Sequence, residues 1–403
     1  MAPVKQGMLR VGQAGWRLLP RALRRHGASY VAALLARKPD KVPPARSDGI
    51  VVAGDVAFTN GLAESGRILH QVIAAHGLAR GFVPLGLPGF VPMRHCNAPR
   101  DAALLSVVNS PIFPLGLLRM PRDFLEGRRV IGVWAWELPL VPRSWHGGAK
   151  FVHEVWAPSA FTARALELLA PGRVRVVPFP MAEIALPAEG DRASFGLPED
   201  AFIVTTMFNL ASSMVRKNPL GAIKAFQAAF GRSREHLLVL KLSNTESYQD
   251  DLNLIRAAIG GAPNIRLITE TVSEERLRGL MLASDVILSL HRSEGFGLIP
   301  AAAMLLGRPV VATGWSGTLE FMAPEVSGLV SYKLIPATDP RGTYDMPKAS
   351  WADPDVEDAA AQLRHLAGDS AARLAMAAAG QAYAREKLGS GPLLAALAAN
   401  GIK

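Results

Sequence analysis

The sequence predicts an α/β protein made of two doubly wound domains. Three observations predict it. Apolar strand-like runs alternate with helical stretches from Gly49 to Gly314. The alternation breaks once, in a loop rich in Ala, Pro, Glu and Asp from Met181 to Pro198. The chain, at 403 residues, is longer than a single core usually supports.

In the first series, GIVVAGDVAF reads as a strand from Gly49 towards Phe58. NGLAESGRILHQVIAAHG switches to helical spacing through Leu62, Leu69, Val72 and Ile73. RRVIGVWAWEL is a strand ending near Glu137. EVWAPSAFTARALELLA is a short strand, a Pro-Ser turn and a helix capped by Ser159, and RVRVVPFP is one more strand. In the second series AFIVTTMF, HLLVLKLS, NIRLITE, DVILSLH and RPVVATG read as strands. NPLGAIKAFQAAF, SEERLRGLMLAS and PAAAMLLG are the helices between them. Strands alternating with helices imply parallel sheets covered on both faces. The expected division is a basic extension over 1–46 and an N-terminal domain over 47–185. A C-terminal domain over 186–380 follows, and a helix over 381–403 packs back on the first domain.

The composition is that of a globular protein, 49% apolar. The lone Cys96 excludes an intrachain disulfide and fits a reducing cytoplasm. Of the net charge of +10, the first 46 residues carry ten Lys or Arg against one Asp. An excess confined to one arm argues against a nucleic-acid binder. In that arm Arg17, Arg21 and Arg24 stand beside a stripe of Trp16, Leu19 and Leu23, with Pro20 as a break. Two readings stay open: a basic helix resting on anionic lipid, and a basic extension packed on the body. No segment reaches the ~18 uninterrupted apolar residues that span a bilayer.

Parallel sheets bind ligands beyond the carboxyl ends of their strands, so the residues after each strand matter most. Gly61 directly precedes the first helix, where exposed N–H groups favour an anion. Glu64 and Arg67, in its first turn, are candidates for substrate contact. This is no GxGxxG fingerprint, and an ordinary strand-to-helix junction reads the same way. Strand alternation puts Trp134 and Trp136 on one face and Glu137 on the other. Indoles stack on sugar rings and a strand-end carboxylate accepts from hydroxyls, but a packed aromatic edge has the same pattern. His153 can relay a proton or can be structural, and no residues have zinc-site spacing.

MFNLASSMVRKNPLGAIKAF puts Arg216 and Lys217 before Asn218 and Pro219 at a helix start. Two cations beside helix N–H groups suit a diphosphate. Lys241, a charge inside an apolar strand, either reaches the same anion or extends to solvent. LSLHRSEGFGLIP places His291, Arg292 and Glu294 after a strand, and Gly295 and Gly297 permit a tight turn. Phe296 reads as packed, and the next helix opens near Pro300, a suitable first-turn residue. Gly314, Ser316, Gly317 and Thr318 follow the next strand and offer small groups around a ligand.

EGFGLIPAAAMLLGRPVVAT, with WAWELP, RKNP, WSGTLEFM and NGLAESGR, resembles family-4 retaining glycosyltransferases. The ordered matches run through most of Gly49 to Ala361. The resemblance implies the GT-B fold, two Rossmann-like domains facing a central cleft. It implies a nucleotide-diphosphate sugar as donor, with no further cofactor and no metal. The acceptor is then a glycan or lipid-linked molecule, and the protein is cytoplasmic or peripheral on the inner membrane face. Arg216, Lys217 and Glu294 become the catalytic set. Gly61, Lys241, His291, Arg292, Gly295, Phe296, Gly297, Leu298, Ser316, Gly317 and Thr318 become donor-side residues. Glu64, Arg67, Trp134, Trp136, Glu137 and His153 fall to the acceptor side. The departure is Ala302, where the family carries a second glutamate for the nucleotide ribose. Glu320 is one candidate replacement. Rival readings are a catalytically impaired nucleotide-sugar-binding protein and a GT-B-like epimerase.

Overall fold

The computed structural model describes residues 21–55, 61–85 and 98–403, with side chains from residue 27 onward. Cys96, Trp16, Arg17, Leu19 and Pro20 lie outside the described residues. The chain begins with α1 (Arg21–Leu35), β1 (Ile50–Gly54), α2 (Gly61–Ala75), β2 (Ala79–Pro84) and β3 (Ala103–Val107). A short α3 (Phe113–Leu117), β4 (Val130–Val133), β5 (Glu154–Ala157), α4 (Ala160–Glu167) and β6 (Val174–Val176) follow. The six strands form one parallel sheet in the order β2-β1-β3-β4-β5-β6. Every residue of β1, β3 and β4 is buried, as strands covered on both faces require.

The second series is β7 (Phe202–Asn209), α5 (Met214–Lys217), α6 (Pro219–Phe230), β8 (His236–Ser243), α7 (Gln249–Ile259) and β9 (Ile265–Ile268). It continues through α8 (Glu274–Leu282), β10 (Val286–Ser289), α9 (Leu298–Leu305), β11 (Val310–Thr313) and β12 (Gly328–Val330). This sheet is also parallel, in the order β12-β11-β10-β7-β8-β9. The chain builds outward from β7 in one direction, then returns to pair β10 on its other side. That reversal makes a crevice at the carboxyl ends of β7 and β10, where such sheets receive ligands.

An antiparallel hairpin, β13 (Tyr332–Ala337) with β14 (Met346–Pro354), precedes α10 (Val356–Gly368), α11 (Ser370–Lys387) and α12 (Gly391–Ala399). Ala337, Tyr344, Ala349 and Trp351 from this region share a core with Trp134, Trp136 and Phe151 of the first half. After α12 the chain returns to the first half: Gly49 N donates to Lys403 O at 2.8 Å and Asn400 Nδ2 to Glu154 Oε2 at 2.9 Å.

Two expectations about strands need correction. The strand expected to end near Glu137 stops at Val133. Beyond it the Asn109 side chain accepts from Ala135 N and donates to Ala135 O, both at 3.0 Å, in place of a strand partner. β2, β3 and the hairpin were not predicted. In β2, ARGFVP, only Val83 is buried, and in β13, YKLIPA, most positions are exposed, so neither has the apolar pattern of a buried strand.

Candidate functional site

The crevice between β7 and β10 holds the charged residues singled out in the sequence. Asn218 takes a left-handed conformation (φ 51°) at the α5–α6 junction, and its side chain accepts from Gly221 N at 3.2 Å to cap α6. Its Nδ2 donates to Leu290 O at 3.0 Å, and Arg292 N donates to Arg216 O at 2.7 Å. The loop after β7 is thereby tied to the loop after β10.

Glu294 occupies the centre. Its Oε1 accepts from Lys217 Nζ, and its Oε2 lies 3.2 Å from Arg216 Nη1. Arg216 is 3% exposed and also donates to Ser293 O at 2.8 Å and to Ser212 O at 3.1 Å. From the first half, Glu137 Oε1 comes within 3.7 Å of Arg216 Nη2. From the hairpin, the Tyr344 ring lies 5.0 Å from the guanidinium carbon. The Lys217 side chain stays 21% exposed, against 3% for Arg216. Arg216 Nε and the Ser293 hydroxyl are buried without a protein partner. A buried polar group left unpaired costs roughly 1–3 kcal/mol unless water or ligand satisfies it.

Burial would raise the Glu294 carboxyl, but Lys217 and Arg216 outweigh it and hold the group down to about 2. Burial lowers Lys217 from the ordinary lysine value against the pull of Glu294. Burial raises Glu137 above the usual carboxylate range, and Arg216 only partly offsets it. Burial also pushes His291 down to about 4, against the attraction of Glu294. His291 therefore stays neutral at pH 7, its ring nitrogens 3.1 Å from Ser289 Oγ and 3.4 Å from Trp315 O.

The turn after Glu294 needs its glycines. Gly297 has φ +102°, and a Cβ on Gly317 would lie 2.3 Å from Gly295 O and 2.7 Å from Phe296 N. Gly317 N donates to Glu294 O at 2.9 Å, and Ser316 Oγ accepts from Glu294 N at 2.8 Å. Thr318 is fully buried beneath them. Phe296 is packed as expected, edge-on to Phe179 at 4.9 Å and tilted on Phe321 at 5.1 Å. The Gly295 carbonyl accepts from Ser159 Oγ at 2.6 Å and Thr162 Oγ1 at 3.0 Å, both of the first half. Across the cleft, a Cβ on Gly61 would sit 3.5 Å from Leu298 Cδ1, so the start of α2 meets the start of α9.

Other predicted residues stand elsewhere. Trp134 is fully buried, edge-on to Trp145 at 6.2 Å, and Trp136 stacks on Tyr344 at 5.4 Å. The expectation that these indoles stack on a sugar is corrected: protein covers both, because the strand ends before them and the hairpin packs on top. His153 is also structural: Nδ1 accepts from Val130 N at 2.9 Å, and Nε2 lies 2.8 Å from Asp40 O. With both nitrogens engaged and burial lowering its pKa, it fastens the loop before β1. Arg292 donates to Asp353 Oδ1 at 2.8 Å and to Val215 O at 2.8 Å, holding the hairpin to α5. Lys241 is buried and donates to Leu242 O at 3.0 Å, with Glu270 as its electrostatic partner. Glu64 and Arg67 pair with each other at 2.6 Å and face Glu274 of α8.

Ala302 is buried within α9. Glu320 does not stand open to replace the missing glutamate: its Oε2 accepts from Ala160 N at 2.8 Å, at the start of α4. Tyr344 was missed by sequence reasoning, since ATDPRGTYDMP has the composition of an exposed turn.

Comparison with solved structures identifies the architecture. HepE of Anabaena in complex with UDP-glucose is 15% identical, with 87% of this chain and 99% of that chain covered and a TM-score of 0.63. WaaG, a glycosyltransferase involved in lipopolysaccharide biosynthesis, is 15% identical over 87% and 99%, with a TM-score of 0.55. Sucrose-phosphate synthase of Thermosynechococcus elongatus is 15% identical over 87% and 98%, with a TM-score of 0.61. The fold is GT-B. Residues 206–388 of this GT-B chain match the family model "Family 4 Glycosyltransferase in conflict systems". The matched part begins on β7 and contains Arg216, Lys217 and Glu294, the cluster in the crevice of the second GT-B sheet. No curated protein matches the chain.

Proposed function

We propose that this protein is a retaining glycosyltransferase that moves a sugar from a nucleotide-diphosphate sugar to a hydroxyl of a glycan or lipid-linked acceptor. The observation that carries the reading is the Arg216–Lys217–Glu294 cluster at the switch point of the second GT-B sheet. Its match to a family-4 glycosyltransferase model supports the same reaction class.

Two cations face one low-pKa carboxylate, with Glu137 held towards its neutral form. The paired cations at this place suit a diphosphate. In the reaction, the bond between the anomeric carbon and the β-phosphate oxygen breaks and its electron pair stays on the phosphate. The acceptor oxygen bonds to that carbon on the face from which the phosphate departs. The hydroxyl proton passes to the phosphate. Negative charge grows on the diphosphate as the bond breaks, so fixed cations bind the transition state more tightly than the ground state. Lys217, the more accessible cation, contacts the phosphate directly, while buried Arg216 holds Glu294 and the loop in register. Glu294 then turns to hydroxyls of the transferred sugar. Glu64, Arg67 and Glu137 line the acceptor side, and the basic residues of 1–46 lie against an anionic membrane on its cytoplasmic face.

The test is a panel of nucleotide sugars read by donor-dependent thermal shift, followed by mass spectrometry of products from lipid and glycan acceptors. A donor that raises the melting temperature and yields a glycosylated acceptor is the expected result. Donor binding with neither transfer nor donor hydrolysis across a broad acceptor set overturns the enzymatic reading.

A further inference from the structure

A second charged site lies at the other end of the first sheet. Arg129, His153 and Arg173 immediately precede β4, β5 and β6, and with the loop 38–43 they line a cavity of about 870 Å³. This is the amino end of the strands, whereas the glycine loop and Glu137 follow carboxyl ends. Lys38, Lys41 and Lys150 also line it, are exposed and have no acidic partner among the described residues. Of the two carboxylates in the lining, Asp40 accepts from Gly127 N, and Glu154 pairs with Arg175, accepts from Asn400 and attracts Arg129. Arg129 and Arg173 are steadied by carbonyls, Arg129 by Pro44 O at 2.9 Å and Arg173 by Val152 O at 2.7 Å. Their charge has no carboxylate bonded to it. Arg129 Nε is buried without a partner.

Beside this cavity stands an apolar face that is unpartnered among the described residues. α1 packs inward through Ser29 and Ala32, Ala36 is buried just beyond its end, and Ala33 meets Gly147 next to the cavity residue His146. Its other side turns Tyr30, Val31, Leu34 and Leu35 to solvent, with Leu34 84% exposed, and Val42 in the cavity loop is 81% exposed. Apolar side chains grouped beside unpaired lysines form the pattern of an interfacial segment, with cations at headgroup level and apolar groups at the acyl boundary. Among the described residues no helix is long and apolar enough to cross a membrane.

We propose that this cavity seats the phosphate of an anionic phospholipid headgroup, with Leu34, Leu35 and Val42 entering the bilayer beside it. The proposal rests on the membrane contact read above for residues 1–46 and gives it a built site. It does not depend on glycosyl transfer. The occupant is a lipid rather than a soluble phosphate because the cations share one surface with the exposed apolar residues.

The experiment is co-sedimentation of the full chain with phosphatidylcholine vesicles, with and without phosphatidylglycerol. It is run for the wild type, the Lys38→Glu/Lys41→Glu/Lys150→Glu variant and the Leu34→Ser/Leu35→Ser/Val42→Ser variant. All six positions are exposed, so a thermal melt is expected to find both variants folded. The wild type is expected to bind anionic vesicles only, with both variants reducing partition at least ~10-fold while transfer to a soluble acceptor is unchanged. Wild-type binding by the lysine variant overturns the cavity site while leaving membrane contact by residues 1–20 standing. Absence of wild-type binding overturns both. Calorimetric binding of inorganic pyrophosphate that is kept by Lys217→Ala but lost in the lysine variant, in a wild type that ignores vesicles, assigns the cavity to a soluble phosphate and overturns the lipid. Vesicle binding without any transfer sinks only the enzymatic reading.

Discussion

Glu294 joins Lys217 to Arg216: one carboxylate meets the ammonium on Oε1 and, at 3.2 Å, the guanidinium on Oε2. A donor diphosphate must compete with this carboxylate for Lys217. Glu294→Gln is therefore expected to tighten binding of a nucleoside diphosphate several-fold while lowering transfer about 10²–10³-fold. The free variant should be destabilised by about 3 kcal/mol, because buried Arg216 loses its counter-ion. Nucleotide should restore much of that loss. Thermal shift with and without nucleoside diphosphate measures both effects, and equal nucleotide affinity in variant and wild type would refute the competition.

Lys217→Ala should act in the opposite sense on the nucleotide. Glu294 keeps Arg216 as partner, so the fold survives, but the accessible cation is gone. Transfer is expected to fall about 10²-fold and diphosphate affinity to weaken in parallel. Wild-type turnover in this variant and in Glu294→Ala together would remove the site assignment.

Ala302→Glu tests the departure from the family pattern. If the nucleotide ribose lies over α9, a carboxylate there accepts its hydroxyls. A hydrogen bond to a charged group contributes about 1.5–3 kcal/mol, or at least ~10-fold in nucleotide affinity. Calorimetry with the nucleoside diphosphate reads this directly. Unchanged or weaker binding would move the ribose away from Ala302.

His291 should set part of the acid stability. Its folded pKa of about 4 lies below the ordinary 6.5, so between these values the unfolded chain binds more protons. Stability then rises with pH through this window and is lost on acidification from 6.5 to 4, by on the order of 3 kcal/mol. The Glu294 contribution is present above 4.5 and disappears as pH falls towards 2. Denaturant unfolding across pH should find the upper window flattened in His291→Gln and the lower one retained. An identical profile in that variant would contradict a buried neutral histidine.

Gly317→Ala places a methyl group 2.3 Å from Gly295 O, against backbone that cannot swing aside. A loss of more than ~2 kcal/mol is expected, together with most transfer, since the same turn holds Glu294. A melting temperature equal to the wild type would show that the turn can shift.

Much of the second half was legible because each signal was local. The alternation of β7, β8 and β10 with their helices, the Asn218-Pro219 helix start and the Gly295–Gly297 turn all follow from neighbouring residues. The first half was less legible. Asn109 ends β4 by binding Ala135, a contact between residues 26 apart, and nothing in VWAWEL announces it. The hairpin was missed because its inward residues, Tyr344 and Trp351, bury against the other half of the chain rather than within their own segment.

The sequence by itself determined the two parallel sheets, the position of Arg216, Lys217 and Glu294 after strands, and the absence of a carboxylate at 302. These rest on periodicity and on residue identity, which need no knowledge of distant partners. Tertiary structure alone decided which charged groups meet. It paired Glu294 with both cations, turned Arg292 to Asp353, closed Trp136 beneath Tyr344, used Glu320 at the start of α4 and left Lys38, Lys41 and Lys150 without an acidic partner among the described residues. The reason is physical: a charge takes the partner that packing brings within a few ångströms, and that choice is made by elements far apart in the chain.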